Sequence, residues 1–408
     1  MLLGNYRPAL AVARGLSAEG YRVILSREGD EGGCELSRYV SEVWENPRLE
    51  KNEGAFIAGL DELLARRADI CAVLPVAEEF VNCLAARRWV PRNGVVLASP
   101  EHAVVGSFTD KMKALRMADR AGVATLPFEQ VSHRSELMEA ARTIGFPITV
   151  RPLGTTARLG TSKALIARSK DQLRELLPAW PAGHKTLLLQ RFAAGARHNV
   201  YFAARSGKLL AVAESRIHRT NHVSGTGLAV SGVTVPLTPA LVRDTALLAQ
   251  DCGYTGIGLA QFILNSETSE RCFLELNPRV SGSHAVPERS GVPLSAMAVS
   301  LAKDEPIAIP DPYLSGRTGI RYVWATGEII GLKARLRQGD AGVAATITAA
   351  ARVVRDALSA DLHIVWSWRD PKPGLRALWH LIPKFHRVRR RKVTKSDRQA
   401  IQIGKNVS

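Results

Sequence analysis

The chain has 408 residues, enough for two or three domains with a sizeable apolar core. With 46% apolar and 23% charged residues, its composition is that of an ordinary globular protein and argues against collagen, a long coiled coil and a disordered acidic tail. The net charge of +17 is uneven, because residues 369–408 hold 12 Lys or Arg and two Asp, which is +10 and leaves +7 for the rest.

The cysteine content argues against zinc clusters and disulfide frameworks. There are five cysteines, an odd number, and none of them forms a CxxC pair. We therefore expect a reducing, cytoplasmic setting and no secretion signal. The longest uncharged run, about residues 223–242, is rich in Ser, Thr, Gly and Pro, so no transmembrane helix is predicted.

The first hundred residues predict a parallel sheet flanked by helices. A short apolar strand, a Gly-Asn turn, a helix with one apolar face and a second strand follow one another, which is a βαβ beginning. Two more strands alternate with two more helices, as in α/β domains. The predicted strands are residues 1–3, 21–25, 72–75 and 95–98, and the predicted helices are residues 54–67 and 78–88 and one that ends at Gly20.

The next segment predicts a mobile lid, because a hydroxyl-rich loop over residues 154–162 lies between two strands. This loop is not a P-loop, since its two glycines are separated by five residues and its lysine follows the serine. Thr109-Asp110-Lys111 is expected to cap the first helix of the segment, which runs to about Ala121. The second predicted helix is residues 135–144, and the predicted strands are residues 148–151 and 164–167.

The second half predicts a hairpin that carries polar side chains within an apolar pattern. On period-two strands Glu275 and Asn277 point to the same side, and Gln261 faces them if the register allows. One carboxylate and two amide oxygens suit Mg²⁺, which takes its remaining ligands from phosphates and water. The hairpin strands are residues 256–264 and 271–275, and they follow predicted strands at 186–190, 199–205 and 209–214 and a helix at 239–252.

These motifs resemble those of ATP-grasp enzymes. Gln261 followed by Glu275-Leu276-Asn277-Pro278-Arg279 is similar to the metal and phosphate residues of the ATP-binding domains in the carbamoyl-phosphate synthetase large chain and in ATP-grasp carboxylate–amine ligases. The resemblance implies that ATP is bound and that Gln261, Glu275 and Asn277 hold Mg²⁺ or Mn²⁺. It also implies that Arg279 and Arg151 are catalytic, because they stabilise the transferring phosphate.

The resemblance further implies which residues contact the nucleotide. Residues 147–152 match the family's basic strand, residues 154–162 its phosphate-covering loop, and residues 190–195 its hinge. The implied nucleotide-binding residues are Lys111, Arg151, Thr155, Thr161, Ser162, Gln190, Phe192 and His222.

The chain departs from the family pattern at the ribose end. Arg191 stands where an acidic side chain usually clasps the ribose, and either Arg197 or His198 stands where a second acid is common. The sequence leaves open which of the two occupies that place. The metal and phosphate residues are unaffected.

The C-terminal residues predict an amphipathic helix with a basic end. Three interpretations stay open: a helix packed on the core with a solvated charged end, contact with an anionic membrane surface, and contact with nucleic acid. The apolar residues at helical spacing are Leu375, Leu378, Trp379, Ile382 and Phe385.

The predicted fold class is α/β with an α+β clamp. A Rossmann-like parallel-sheet domain over residues 1–99 precedes a two-lobed ATP-grasp domain over residues 100–306, whose lid subdomain covers about residues 108–186. Residues 307–408 are expected as a C-terminal, helical and basic extension.

The resemblance implies an ADP-forming ligase that joins a small-molecule carboxylate to an amine through an acyl phosphate. Two alternatives stay open: phosphorylation of bicarbonate or carbamate, as in carbamoyl-phosphate synthesis and carboxylases, and a nucleotide-binding adaptor at a membrane surface without catalysis. Nucleic acid is not expected as a partner. A homodimer and peripheral contact of this cytoplasmic protein with an anionic membrane are further open expectations.

Overall fold

The computed structural model describes residues 1–29, 32–154, 157–160, 162–222, 225–338 and 343–381. Their strands form three β-sheets: a parallel sheet near the N-terminus, a small antiparallel sheet, and a large sheet that runs through the second half. The predicted mixed α/β fold is confirmed. In this part of the chain every helix is too short or too polar to cross a lipid bilayer.

The first unit is a parallel sheet with helices against it. Its elements are β1 (Leu2–Leu3), α1 (Arg7–Ala18), β2 (Ile24–Arg27), β3 (Glu42–Glu45), α2 (Glu53–Arg66), β4 (Ala72–Pro75), α3 (Glu78–Ala86) and β5 (Val96–Leu97). The strand order is β3-β2-β1-β4-β5. Sequence analysis missed β3 because it is an edge strand of four residues, none of them fully buried, so it lacks an apolar run.

Two helices lead from the first unit to the small sheet. Asp110 caps the second of them, because its side chain accepts hydrogen bonds from the backbone N–H groups of Met112 and Lys113 at 2.8 and 3.1 Å. The elements from here to the end of the small sheet are α4 (His102–Thr109), α5 (Lys111–Arg120), β6 (Phe128–Val131), α6 (Arg134–Ile144), β7 (Ile148–Pro152), β8 (Leu165–Ala167), α7 (Lys170–Leu176) and β9 (Leu187–Arg191).

The small sheet has one apolar and one polar face. Its order is β6-β9-β7-β8, with antiparallel pairs throughout. Alternate residues such as Ile148 and Val150 pack with apolar residues of α6 and α7 in one core. The intervening residues Thr149 and Arg151 therefore point to the other face, where the cavity described below lies.

The large sheet continues from the small one. Its elements and flanking helices are β10 (Ala196–Arg205), β11 (Lys208–Thr220), β12 (Ala229–Val235), α8 (Pro239–Asp251), β13 (Gly256–Leu264), β14 (Arg271–Asn277), α9 (Ala285–Ser290), α10 (Leu294–Ala302), β15 (Leu314–Ser315), β16 (Arg321–Val323), α11 (Ala325–Gln338), α12 (Val343–Ser359), β17 (Leu362–His363) and α13 (Lys372–Trp379). The strand order is β14-β13-β10-β11-β12-β16-β17, and β15 pairs with β11.

Both faces of the large sheet are covered along most of their length. Phe202 packs with apolar residues of α5 and α8 on one face, whereas Tyr201 packs with those of α1, α9 and α10 on the other. Because β10 alternates, Arg197 and Asn199 share the face of Tyr201. These polar residues lie beyond the apolar core and line the cavity.

The C-terminal segment differs from the predicted helical extension. Residues 314–323 and 362–363 add strands β15, β16 and β17 to the large sheet, and α11 to α13 lie between or after them. These strands have two or three residues, too few for an alternating pattern to be recognised in the sequence. Of the predicted basic tail, residues 382–408, including Ile382 and Phe385, lie outside the described residues.

The last described segment is anchored to the first unit. Asp370, which is buried, accepts two hydrogen bonds from Arg14 of α1 at 3.1 and 2.9 Å and one from the Ser37 hydroxyl at 2.7 Å. Its other carboxylate oxygen accepts from the backbone N–H of Arg38 at 3.1 Å. The chain therefore returns at its C-terminal side to the domain with which it begins.

Candidate functional site

A cavity of about 620 Å³ lies where the small sheet, the large sheet and the first unit meet. Among the described residues that line it, eight are Lys or Arg and two are carboxylates, so the cavity is strongly cationic. Such a site favours a ligand with several negative charges. The charged lining residues are Arg7, Glu78, Lys111, Arg151, Lys163, Arg191, Arg197, Arg219, Glu275 and Arg279.

The polar residues of the predicted hairpin converge on this cavity. Antiparallel pairing sets Gln261 of β13 directly opposite Glu275 of β14, so both side chains lie on one face. Asn277, two residues further along β14, shares that face and donates a hydrogen bond of 3.1 Å to the Glu275 carboxylate. The Gln261 side chain donates to the Asn199 amide oxygen at 2.8 Å, which leaves its own carbonyl oxygen as an acceptor.

These donors fit a divalent cation of the magnesium type. They offer one carboxylate and two amide oxygens, and Mg²⁺ typically binds through few protein ligands and keeps waters or phosphate oxygens in its remaining positions. No group of three or more His, Cys, Asp or Glu side chains suited to a metal occurs in the described part of the chain. These residues therefore suit a cation whose remaining ligands come from a bound nucleotide and water.

Cations surround the Glu275 carboxylate. Its burial would by itself raise the pKa, but Lys111, the hydrogen bond from Asn277 and the charges of Lys163 and Arg151 outweigh burial and hold the pKa below its usual value. Glu275 is therefore ionised at neutral pH. It is ready to bind a cation without a proton having to leave first.

Lys111 lies at the start of α5 under the predicted phosphate-covering loop. It is 7% exposed, and its ammonium group donates hydrogen bonds to the backbone carbonyls of Pro152, Leu153 and Gly154, the last at 2.8 Å. Burial lowers its pKa to about 8, although the nearby charge of Glu275 opposes this shift. An anionic ligand in the cavity would restore the proton affinity that burial removes.

Arg151 reaches the same region from β7. One end of its guanidinium donates to the side-chain oxygen of Gln190, while its buried Nε has no hydrogen-bond partner among the described residues. Burial lowers the pKa of Arg151, and Glu275 and Cys272 partly compensate. A buried guanidinium with an unused donor fits an incoming anionic oxygen.

The predicted hinge, residues 190–195, begins with the last two residues of β9. Gln190 is buried and Phe192 lines the cavity, and the backbone N–H of Phe192 donates to the carbonyl of Pro147 at 2.9 Å. Arg191, which replaces an expected acid, donates to the carbonyl of Ile144 at 3.0 Å and still borders the cavity. The hinge residues thus lie beside the cavity, at the end of the small sheet.

Arg197 and His198, the two candidates for the place of the second acid, face opposite sides of the large sheet. Arg197 lines the cavity, where it donates to the carbonyl of Gly227 at 3.1 Å and keeps a buried Nε without a partner among the described residues. Its neighbour His198 points to the opposite face, with its ring nitrogen 2.6 Å from the Glu214 carboxylate. Arg197 therefore faces the cavity and His198 does not, because adjacent strand residues face opposite sides.

Arg279 is held by the first unit. Its guanidinium donates to the Glu78 carboxylate at the start of α3 at 2.6 Å and to the Asn277 amide oxygen at 3.4 Å. Burial lowers its pKa, but the Glu78 carboxylate more than compensates, and the pKa is raised overall. The guanidinium therefore stays charged and has a fixed position beside the Asn277 side chain.

Four predicted nucleotide-binding residues are not found in the described lining of the cavity. Ser162 and His222 are not among the described residues that line the cavity; Ser162 exchanges backbone hydrogen bonds with Leu159 at 3.1 and 2.9 Å. Thr155 and Thr161 lie outside the described residues.

Sequence reasoning missed the contribution of the first unit. Arg7 and Glu78 line the cavity although they precede the start of the hairpin at Gly256 by 249 and 178 residues. Each opens a helix after a short strand, and helix beginnings after parallel strands are places where ligands bind in α/β sheets. In the sequence, their position at the start of a helix that follows a short strand is the feature that indicates a ligand-binding role for these two residues.

Comparison with known proteins agrees with this geometry. Residues 110–309, just under half of the chain, match the family model described as the ATP-binding domain of the carbamoyl-phosphate synthase L chain. A pyruvate carboxylase of Komagataella pastoris is 25% identical over 232 residues, and the match covers 53% of this chain and 19% of that protein. The chain thus spans about a fifth of the length of such curated relatives.

Solved structures share the fold. The biotin carboxylase domain dimer of Hydrogenobacter thermophilus 2-oxoglutarate carboxylase, solved with MgADP, ADP and bicarbonate, has a TM-score of 0.58 at 19% identity, covering 78% of this chain and 72% of that one. The L-amino acid ligase of Bacillus licheniformis has a TM-score of 0.57 at 13% identity, covering 74% and 73%. These likenesses concern the fold, and the family match over residues 110–309 confirms the predicted resemblance to ATP-grasp enzymes.

Proposed function

We propose, from the premise that residues 110–309 are an ATP-grasp domain, that the protein is an ADP-forming ligase. It activates a small-molecule carboxylate as an acyl phosphate and joins it to an amine. The observation that carries this proposal is the ring of cations around the Glu275, Asn277 and Gln261 oxygens, in a cavity large enough for a nucleotide and a second molecule.

ATP is assigned to the side of the cavity next to the small sheet. Gln190 and Phe192 would meet the base, and Lys111 and Arg151 the phosphates. Mg²⁺, when bound by Gln261, Glu275 and Asn277, neutralises negative charge on the phosphates. This assignment is supported by the partnerless buried Nε of Arg151 and by the lowered pKa of Lys111, both of which an anion would relieve.

The reaction needs little chemistry from the protein. A carboxylate oxygen of the substrate attacks the γ-phosphorus of ATP, the bond to the bridging oxygen breaks, and ADP leaves with that electron pair. The amine then attacks the acyl carbon, phosphate leaves, and the amine's proton passes to phosphate or water. Arg151 and Arg279 stabilise the charge that builds up on the transferring group.

No protein nucleophile is required by this scheme. Cys272 is the one thiol among the described residues that line the cavity, and burial raises its pKa, which keeps it protonated. A neutral thiol is a poor nucleophile. The lining therefore favours direct transfer from ATP to the substrate over a covalent enzyme intermediate.

The decisive experiment traps the intermediate. Purified protein with Mg-ATP, hydroxylamine and a panel of carboxylic acids should release ADP and form hydroxamates, because hydroxylamine captures acyl phosphates. Glu275→Gln should abolish both products, whereas Glu267→Gln, in the exposed turn of the same hairpin, should leave them unchanged. ADP release that depends on bicarbonate, without hydroxamate from any acid, would instead favour phosphorylation of bicarbonate.

The adaptor without turnover predicts a different result. Such a protein would bind Mg-ATP but release no ADP with any acid, amine or bicarbonate. Calorimetry with Mg-ATP on wild type, Glu275→Ala and Arg151→Ala separates this outcome from a failure to bind at all.

We also propose that the C-terminal side contacts an anionic membrane surface. Helix α13 packs its Pro373 and Gly374 inward and leaves Leu375 54% and Trp379 64% exposed, with Trp368 86% exposed in the segment before it. Residues 382–408, which follow directly, carry nine Lys or Arg and one Asp. Apolar side chains next to a basic run suit the interface of anionic lipids.

Vesicle sedimentation tests this contact. The full chain should bind vesicles that contain phosphatidylserine and not those of phosphatidylcholine alone, and binding should weaken with salt. Trp379→Ser should reduce it, whereas Val90→Ser, which removes an exposed apolar side chain of the first unit, should not. Equal binding to both kinds of vesicle, or none, would contradict the proposal.

The protein is further proposed to form a homodimer. The Hydrogenobacter domain that shares this fold was solved as a dimer. Light scattering at several concentrations of the full chain should give twice the monomer mass. A monomer at all concentrations would contradict this.

A further inference from the structure

Arg7, the first residue of α1, is fixed in place by groups other than carboxylates. Its Nε donates a hydrogen bond of 2.8 Å to the carbonyl of Gly282, five residues after the end of β14. The centre of its guanidinium lies 3.5 Å from the centroid of the Trp324 ring, which belongs to the C-terminal segment. Gly282 and Trp324, from two distant parts of the chain, thus hold this guanidinium at the wall of the cavity.

The charge of Arg7 has no acidic partner among the described residues. The contacts with Gly282 and Trp324 use the Nε and one face of the group, and the two terminal nitrogens make no hydrogen bond there. Burial lowers the pKa of Arg7 to about 10, and the only opposing influence is Tyr6. Arg7 is partly buried, and a guanidinium with unused donors in such a place is suited to pairing with an anion.

Gly282 contacts the guanidinium, and Ser281 precedes Gly282 in the chain. Ser281, 3% exposed, lines the cavity with a buried hydroxyl that has no hydrogen-bond partner among the described residues. Gly282 leaves room for the guanidinium, since a Cβ there would lie 2.6 Å from Nη2 of Arg7. A guanidinium fork and a free hydroxyl are donors of the kind that carboxylates and phosphates accept.

Arg7 lies apart from the residues assigned to the ATP phosphates. The Glu275 carboxylate acts on the pKa values of Lys111, Arg151 and Arg279, but not on that of Arg7. Arg279 itself is already paired with Glu78, which leaves Arg7 as the unpaired cation at that end. The contacts of Arg7 are with Gly282 and Trp324, whereas those of Lys111 and Arg151 are with residues 152–154 and Gln190.

We infer that Arg7 and the Ser281 hydroxyl form an anion subsite that binds a second anionic group of the substrate, separate from the carboxylate that is phosphorylated. The substrate is then a dianionic small molecule, with a second carboxylate or a phosphate at the end away from ATP. This inference rests on the proposed function for the identity of the reacting group. The subsite itself is defined by Arg7, Ser281 and Gly282 alone.

Calorimetry with simple probes tests the subsite without turnover. Succinate, butyrate, phosphoglycolate and inorganic phosphate are titrated into the full chain loaded with MgADP, and also into the nucleotide-free chain. Wild type should bind the dianions about ten-fold more tightly than butyrate, as expected for a charged hydrogen-bonded pair. Whether phosphoglycolate or succinate binds better identifies the second group as phosphate or carboxylate.

Two variants remove the subsite in different ways. Arg7→Met removes the charge, and Gly282→Ala pushes the guanidinium aside while keeping it, at a position without positive φ. Both should abolish the preference for dianions and leave the affinity for Mg-ATP within about two-fold, whereas Arg22→Met, an exposed arginine of the same unit, should change nothing.

The outcomes separate the subsite from the proposed function. A dianion preference that is absent in wild type, or that survives in Gly282→Ala and Arg7→Met, overturns the subsite. A preference lost in both variants, together with hydroxamate formation from dianionic acids, supports both. If the preference is lost in the variants but no acid yields hydroxamate, the subsite stands and the ligase assignment fails.

Discussion

Arg279, two residues after the end of β14, donates a hydrogen bond of 2.6 Å to the carboxylate of Glu78 at the first turn of α3. The two residues are 201 positions apart in the chain. Because the pair lies at the cavity wall and both side chains are largely buried, it ties the position of the first unit to the position of Arg279.

Glu78→Gln removes the charge of this pair and keeps its shape. We expect a loss of about 1–3 kcal/mol in the free energy of unfolding, because Arg279 keeps a largely buried charge without a partner. We also expect kcat to fall more than the affinity for Mg-ATP, since Arg279 is assigned to the transferring group. Denaturant unfolding and steady-state ADP release measure the two effects.

Glu79→Gln is the matched control, because Glu79 is the next residue on the same helix and is exposed. It should change neither quantity. If both substitutions had equal effects, the result would be due to negative charge at the N-terminus of α3 and not to the pair of Glu78 with Arg279.

Arg151→Lys tests the guanidinium fork at the phosphates. Lysine keeps the charge but cannot both donate to Gln190 and offer a second donor to phosphate, so Mg-ATP affinity should drop about ten-fold. Arg142→Lys, on the exposed side of α6, is the control. Isothermal calorimetry gives both constants, and an unchanged affinity in Arg151→Lys would remove Arg151 from the ATP site.

The lowered pKa of Lys111 predicts a pH dependence of nucleotide binding. In the free protein the ammonium group loses its proton as pH rises through about 8, so the attraction for phosphates weakens from pH 7 to pH 9. Binding measured at pH 9 should take up a proton, seen as a dependence of the binding enthalpy on the buffer. Lys111→Met should bind more weakly at pH 7 and lose this pH dependence.

Lys113→Met, at the exposed face of the same helix, should retain the wild-type pH profile. An identical profile in Lys111→Met would assign the titration to another group.

Asp370→Ala should destabilise the whole fold. The carboxylate is 2% exposed and accepts hydrogen bonds from Arg14, Ser37 and the backbone of Arg38, so its loss leaves buried donors unpaired at a cost of about 3–5 kcal/mol. Asp361→Ala breaks a surface pair with Arg321 and should cost less than about 1 kcal/mol. Thermal unfolding compares the two, and equal midpoints would contradict the anchoring role of Asp370.

The hairpin with Gln261 and Glu275 could be predicted because its information is local. Its strands have nine and seven residues, long enough for apolar alternation to show, and the polar positions interrupt that alternation. The pairing register depends on the turn and the core face, and it sets Gln261 opposite Glu275. The strands predicted from the local pattern are therefore the strands β13 and β14 of the large sheet.

The participation of Arg7 and Glu78 could not be predicted with the same means. Their role depends on how the first unit docks against the large sheet, and docking leaves no period in the sequence. Likewise β16 is a three-residue strand whose place beside β12 is fixed by tertiary contacts and not by propensity. The choice between Arg197 and His198 needed the strand's starting phase, which only the structure supplies.

The link between Arg14 and Asp370 has a consequence for how the protein can move. It joins α1 of the first unit directly to the segment before α13, and α1 also packs against the large sheet. The small sheet has its own apolar core and carries no part of this fastening. Opening and closing over a nucleotide would therefore be a movement of the small sheet relative to the first unit and the large sheet. A chain that ends before residue 364 lacks Asp370, so it would lose the link to α1 and keep the core of the small sheet.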